Sequence, residues 1–200
     1  FSLLSAVYYS PYFRFDPFFT PFIPEQENPL MNKSNDIVSV VMGSDSDYPV
    51  MEEAVKILDA FSIANEVFLT SAHRSPTRTS DFARKAAQRN VKAIIVGAGA
   101  AAHLAGVIAS QTPLPVIGVP IDATALHGLD ALLSTVQMPG GVPVATMAVG
   151  KAGAKNAALL AVRILSLNDE VLRQRLLTYI DTMSQEVEKR QEDLLQKIRA

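Results

Sequence analysis

A histidine and an arginine stand side by side in Ser71-Ala72-His73-Arg74, and they offer two kinds of chemistry at once. An imidazole gives and takes a proton near neutral pH, and a guanidinium anchors a phosphate or carboxylate beside it. Read singly, a histidine is structural more often than catalytic. The run Gly43-Ser44-Asp45-Ser46-Asp47 offers an anion site, because a serine-rich loop entering a helix presents hydroxyls, backbone N–H groups and a positive dipole end. It is not the phosphate loop of NTPases, since no lysine follows. Gly97-Ala98-Gly99, leading to His103, allows a ligand close to the backbone. It does not continue as a dinucleotide fingerprint, because position 102 is alanine and no acidic partner is spaced correctly. Either glycine loop alone also fits an ordinary strand-to-helix turn. Asp45 and Asp47 have the oxygen chemistry of a magnesium site, although loop acids more often cap helices. His103 also reads as a capping or core residue, and His127, beside Gly128, reads as structural.

These loops need a frame, and the pattern from Asp36 onward supplies one. Short apolar runs predict strands over Ile37–Met42, Glu66–Thr70, Ala93–Val96, Pro115–Val119 and Val144–Val149. Helical spacing predicts helices over Pro49–Phe61, from Ser75-Pro76 to Arg89, over His103–Ser110, Ala125–Val136 and Lys151–Leu167, the last packed closely through its alanines. Asp47 before Pro49 and Ser75 before Pro76 read as N-caps. Strand–helix alternation predicts an α/β domain with a central parallel sheet, with ligands beyond the carboxyl ends of its strands. Asp169–Ile198 reads as one long amphipathic helix, carrying Leu172, Leu176, Tyr179, Met183, Val187, Leu194 and Ile198. It is longer than a small domain can cover, which points to packing across a subunit interface.

Composition narrows the function further. The 200 residues include no cysteine, which excludes disulfides, thiolate metal sites and cysteine nucleophiles. Three histidines leave little for a histidine-rich metal site. A net charge of -2 argues against a basic nucleic-acid surface, and prolines and charges interrupt every candidate membrane span. The first 22 residues hold nine of the 14 aromatics, and prolines at 11, 17, 21, 24 and 29 break helix and strand alike. Residues 1–30 therefore read as a leader outside the domain, with an aromatic arm on a partner subunit as the alternative. Residues 31–168 form the expected catalytic domain and 169–200 the helix that follows it. All ten glycines fall between Gly43 and Gly153.

The motifs together resemble a known family. Val41-Met42-Gly43-Ser44-Asp45-Ser46-Asp47, Ser71-Ala72-His73-Arg74-Ser75-Pro76, Gly97-Ala98-Gly99 and Ala101-Ala102-His103-Leu104 look like the N5-carboxyaminoimidazole ribonucleotide mutases of de novo purine synthesis. Gln137-Met138-Pro139-Gly140-Gly141-Val142-Pro143-Val144 and Gly150-Lys151-Ala152-Gly153-Ala154 continue the match in the same order. The resemblance implies a flavodoxin-like three-layer sandwich, a cytoplasmic homo-octamer, and a carboxylate moved from N5 to C4 without metal or organic cofactor. It implies that His73 is the general acid and base. Ser44, Ser46, Asp47, Ser71 and Arg74 would bind the ribose phosphate portion, and Gly99, His103 and Leu104 the carboxylate and base edge. The pattern departs at Ala100 and Ala105, where the family usually has glycine and proline; alanine at 100 is uncomfortable if the backbone there takes positive φ. Arg74 and Gln137–Val142 resemble the mutase class, with direct carboxylation by carbon dioxide as the runner-up. A non-catalytic nucleotide-binding module of the same fold is the reading from another class, and an intact His73 weighs against it.

Overall fold

A computed structural model describes residues 36–199. The leader expected over residues 1–30 lies outside the described residues. Five strands form one all-parallel sheet in the order β2-β1-β3-β4-β5: β1 Ile37–Met42, β2 Ala64–Leu69, β3 Val91–Gly99, β4 Val116–Ile121 and β5 Ala145–Thr146. The helices are α1 Tyr48–Ala60, α2 Pro76–Ala86, α3 Leu104–Ala109, α4 Leu129–Val136, α5 Lys151–Leu165 and α6 Glu170–Arg199.

Both faces of the central strands β1, β3 and β4 are buried, as parallel pairing through helical crossovers requires. Alternation along β1 sends Val38, Val40 and Met42 to one face and Val41 to the other. The first face packs on Met51, Ala54 and Leu58 of α1 and on Ala154, Ala157, Ala158, Ala161 and Val162 of α5. Ile94, Val96 and Ala98 of β3 face Phe82 and Ala83 of α2, Ile108 of α3 and Ala131 of α4. The result is the flavodoxin-like three-layer sandwich.

Several element ends differ from their sequence reading: β2 spans Ala64–Leu69 rather than Glu66–Thr70, β3 Val91–Gly99 rather than Ala93–Val96, and β4 Val116–Ile121 rather than Pro115–Val119. Three further differences have a local reason. The fifth strand has two residues rather than the span Val144–Val149. Met147 N–H donates to Gly118 O and Gly150 N–H to Pro120 O, so positions 118 and 120 both turn their polar groups toward β5. Proline at 120 has no N–H to give, and the ladder stops there. Helix α4 starts at Leu129, not Ala125, because His127 (φ 50°) and Gly128 (φ 82°) take left-handed conformations that no right-handed helix continues. Helix α2 ends at Ala86 in a 3-10 turn over Ala87–Arg89, closed by Asn90 at φ 65°.

Helix α6, of 30 residues, is about 45 Å long. Its first turns bury Leu172 and Leu176, and Tyr179 packs on Phe61 with ring centroids 5.5 Å apart. From Asp181 onward every described residue is exposed, including Met183, Val187, Leu194 and Ile198. Among the described residues no helix is long and apolar enough to cross a membrane.

Close packing of α5 on the loop after β5 has a measurable consequence. A Cβ at Gly153 would stand 1.7 Å from the Ala148 carbonyl oxygen, a backbone atom that cannot swing aside. Helix propensity favours alanine there by about 1 kcal/mol, but overpacking costs about 3 kcal/mol and wins. Gly153→Ala should therefore lower the thermal midpoint by roughly 4–8 °C for the net loss of about 2 kcal/mol. An unchanged midpoint in calorimetry contradicts this packing.

Candidate active site

Chain order reverses beside β1, which pairs with β2 on one side and β3 on the other. The loops leaving these three strands part there and leave a crevice at their carboxyl ends. A cavity of about 470 Å³ opens at this point. Its wall includes Ser44, Ser46 and Asp47 from the first loop and Ser71, His73 and Arg74 from the second. Gly99 and Leu104 come from the third. All these residues were singled out in the sequence, and the structure brings them together.

The first loop is a 3-10 turn over Asp45–Asp47 with Ser44 in extended conformation before it. Ser44 Oγ accepts from Ser46 N–H, and Asp47 Oδ2 accepts from Ser44 N–H at 3.1 Å, a reciprocal capping box. Asp47 thus caps this short turn and makes no side-chain cap to α1. The Ser46 hydroxyl donates to Ser44 Oγ at 2.8 Å, and Ser44 Oγ lies 3.2 Å from Asp45 Oδ1 as donor. Two hydroxyl donors and the Ser46 N–H are gathered in one turn, and in the free protein Asp45 and Ser44 occupy them.

Asp47 is 5% exposed. Burial pushes its carboxyl above the usual aspartate range, and Asp45 adds to the rise. N–H donation from Ser44 and Gly43 offsets part of it.

The second loop carries Ser71, His73 and Arg74. Ser71 Oγ accepts from Arg74 N–H at 3.2 Å, which leaves its own hydroxyl hydrogen for a ligand. Ser75, read in the sequence as an N-cap, makes no side-chain cap to α2, and its hydroxyl turns back onto Ser71 instead. His73 and Arg74 are exposed on the cavity rim.

The third loop explains its small residues. A Cβ at Gly99 would lie 2.6 Å from Ala123 Cβ, so only glycine lets the β3 and β4 loops approach this closely. Ala100 takes φ 52°, the left-handed region in which its methyl group costs about 1 kcal/mol. The backbone then doubles back, with Ala102 N–H donating to Ala100 O and His103 N–H to Ala101 O, both at 2.8 Å. This turn delivers His103 at the start of α3. His103 is not on the cavity wall; its Nδ1 lies 2.9 Å from His73 Nε2, with the two rings nearly perpendicular at 86°. One ring donates and the other accepts, which fixes the His73 ring across two loops. Nδ1 of His73 has no hydrogen-bond partner among the described residues, so it can exchange a proton with a molecule in the cavity.

Of the wall residues, Ala123 lies outside the motifs read in the sequence, and Gly43 and Ala72 stood within them without an assigned role. Ala123 was the one with a signal, since it follows the carboxyl end of β4 as the other loops follow theirs. His127 is exposed and outside the wall, with its Nδ1 3.7 Å from Asp122. Among the described residues no three of His, Asp and Glu cluster as a metal site would require.

Comparison with known proteins follows the same outline. The family model for AIR carboxylase matches residues 37–186. The chain is 52% identical over 160 residues to the N5-carboxyaminoimidazole ribonucleotide mutase of Pyrococcus horikoshii, covering 80% of this chain and 89% of that one. It is 54% identical over 157 residues to the enzyme of the same name from Mycobacterium leprae, covering 78% and 91%. The crystal structure of Treponema denticola PurE superposes with a TM-score of 0.70 at 28% identity, covering 77% of this chain and 95% of that one. With a parallel sandwich, a crevice at the strand reversal and three-quarters of its length matched, this chain belongs to the AIR carboxylase family.

Burial of Asp47 gives a prediction with a definite sign. A raised folded value means the native state holds the proton more tightly, so stability is greatest below the unfolded value and is lost as pH rises through the folded one. Asp47→Asn removes that loss. Its melting temperature should exceed the wild type's at pH 7, with the gap closing as pH falls through the aspartate range. A variant melting lower at pH 7 overturns this electrostatic reading.

Proposed function

We propose that this chain is an N5-carboxyaminoimidazole ribonucleotide mutase that converts its substrate to 4-carboxy-5-aminoimidazole ribonucleotide. The observation that carries the reading is the free Nδ1 of His73 on the rim of a cavity whose far side gathers serine donors. The name shared by relatives more than 50% identical to this chain supports it.

Geometry suggests a division of labour. Ser44, Ser46, Ser71 and Arg74 bind the phosphate, which an exposed guanidinium and short hydroxyl donors suit. Asp47 accepts from the ribose hydroxyls, since a buried carboxylate beside a phosphate would repel it. Gly99 to Leu104 hold the base edge and the transferred carboxyl group through backbone groups, with His103 holding His73.

The reaction is balanced within the substrate. The bond between N5 and its carboxyl carbon breaks, carbon dioxide leaves, and N5 takes a proton from His73. Imidazole C4 then attacks the trapped carbon dioxide, forming the new C–C bond, and the proton on C4 passes to His73. One residue serves both steps because the proton given in the first returns in the second. The chemistry needs no nucleotide triphosphate, metal or redox cofactor.

In this reading the protein is cytoplasmic and works as a homo-octamer, with no nucleic acid or membrane partner. Supporting assembly are two exposed apolar stripes among the described residues: Met183, Val187, Leu194 and Ile198 on α6, and Leu126, Leu129, Leu133 and Val136 on and before α4. The exposed end of α6, in the helix of residues 169–200 that follows the catalytic domain 31–168, is the part that would pack on a neighbouring subunit. Sedimentation should give about eight times the 21.6 kDa chain mass. Removing residues 183–200 should dissociate it; a monomeric full chain contradicts the assembly.

Activity is tested by incubating the protein with N5-carboxyaminoimidazole ribonucleotide, without ATP, and following the 4-carboxy product. His73→Asn should lower kcat by about 10²–10⁴-fold with ligand binding retained. Product formed only from aminoimidazole ribonucleotide and bicarbonate would establish the direct carboxylase instead. Binding without turnover of either would leave a nucleotide-binding module.

A further inference from the structure

Behind the loop that carries His73 lies a group of hydroxyls, from Thr70, Ser75 and Thr79, none of them on the cavity wall. Thr79 is fully buried and Thr70 is 3% exposed. Their oxygens are 2.8 Å apart, and Thr70 Oγ1 is 3.2 Å from Ser75 Oγ. Ser75 closes the turn. Its hydroxyl accepts from Ser71 N–H at 3.0 Å and donates to Ser71 O at 3.1 Å, beside the Ser75 N–H donated to the same carbonyl at 2.9 Å. Both polar groups of Ser71's backbone are therefore held by one residue, and His73 and Arg74 ride on the short arc between.

Each end of the arc is tied to the frame. Thr70 N–H donates to Met42 O, extending the pairing of β2 with β1 beyond the last strand residue. Ser75 O accepts from both Thr79 N–H and Thr79 Oγ1, at 3.1 and 3.2 Å, in the first turn of α2. The hydroxyls of Ser75, Thr70 and Thr79 have three hydrogens between them. Four contacts compete for these: Ser75 with Ser71 O, Thr70 with Ser75, Thr70 with Thr79, and Thr79 with Ser75 O. If Ser75 keeps its hydrogen on Ser71 O, Thr70 or Thr79 must orient the remaining bonds around it. Thr70 and Thr79 are buried away from water and have no other partners among the described residues, while Ser75 is half-buried.

We propose that Ser75 is a positioning residue for the reaction, a bracket that holds the His73-Arg74 arc in register with the cavity, with Thr70 and Thr79 bracing it from behind. The His103 contact fixes the far end of the imidazole ring; the Ser75 bracket fixes the backbone from which the ring projects. A proton-transfer group needs both, because a ring displaced by about an ångström loses much of its rate advantage. This inference rests on the role of His73 given above.

Two measurements test it, and the first does not depend on activity. In the wild-type protein the Ser71 amide should exchange its hydrogen at least about tenfold more slowly than an unprotected amide, although its turn lies at the surface. Unprotected exchange there overturns the bracket, whatever the enzyme turns over. In the second, Ser75→Ala should lower kcat about tenfold, the effect of one lost hydrogen bond on a placed group. KM should change less, because Ser44 and Ser46 still hold the anion. Ser75→Thr, which keeps the hydroxyl, should restore kcat to within about twofold of wild type. Wild-type kcat in folded Ser75→Ala, or no recovery in Ser75→Thr, refutes the positioning role. If Ser75→Ala does not fold, Thr79→Val and Thr79→Ser decide. Valine keeps the shape and loses the hydroxyl, and serine does the reverse. Lower kcat in the valine variant with recovery in the serine variant supports the bracket; the opposite order makes the site one of packing alone. Wild-type protein that turns over neither ribonucleotide, with a protected Ser71 amide, defeats the reading of His73 and leaves the bracket standing as a structural element.

Discussion

Strand β1 is hydrogen-bonded on both sides to strands that follow it in the chain, and the crevice exists because of that double pairing. Crossovers to β2 and to β3 leave in opposite directions, so the loops after β1 and β3 cannot cover the same ground. The cavity walled by the three loops stands in the space they vacate. The apolar cores on the two faces hold the strands in place; the loops at their ends are thereby free to carry polar residues. Close approach is the condition for this. Gly97 lies against Met51 and Gly99 against Ala123, so the strand that forms the cavity floor has almost no side-chain volume at its carboxyl end.

The same region holds the costs of the fold. Ala100 sits in left-handed backbone, Asp47 keeps a carboxyl out of water, and Ser44 and Ser46 hold their donors on neighbouring oxygens until a ligand takes them. The left-handed alanine and the buried carboxyl each cost stability on their own account. They persist because the sheet, the alanine-rich seam between α1 and α5, and the Ser75 bracket overdetermine the local geometry. Elsewhere the charges serve the frame. Burial pushes Glu66 up, but Arg89 and the Ser39 hydroxyl prevail and hold its carboxyl below the usual glutamate range, which secures the edge strand β2 to the sheet and to the end of α2.

What could be read in advance divides along physical lines. Periodicity located every strand and helix, because burial on two faces leaves a strong apolar signal in β1 and β3 and a seam of alanines in α5. Ends were less legible. Pro120 stops β5 through a hydrogen bond missing on the neighbouring strand, and no local pattern around Val144–Val149 carries that information. The start of α4 depended on the backbone angles of His127 and Gly128, of which only the glycine advertises itself. At the site, residue types and the order of motifs marked the wall, and the discomfort expected of alanine at 100 is present as a positive φ. The pairing of His73 with His103 was out of reach, since 30 residues and the crossover from β2 to β3 separate them and only the folded sheet makes them neighbours. Ser75 looked like a cap and closes a turn instead, a choice decided by the Thr70 and Thr79 hydroxyls behind it.

The proposed function requires a ribose phosphate on the serine side of the crevice and imidazole C4 facing Nδ1 of His73. A crystal structure with 4-carboxy-5-aminoimidazole ribonucleotide bound tests it most directly. The account predicts phosphate oxygens within hydrogen-bond reach of Ser44, Ser46 and Arg74, and the C4 carboxyl group between His73 and the Gly99–Leu104 backbone. A nucleotide bound with its phosphate away from these serines, or with C4 turned from His73, contradicts it.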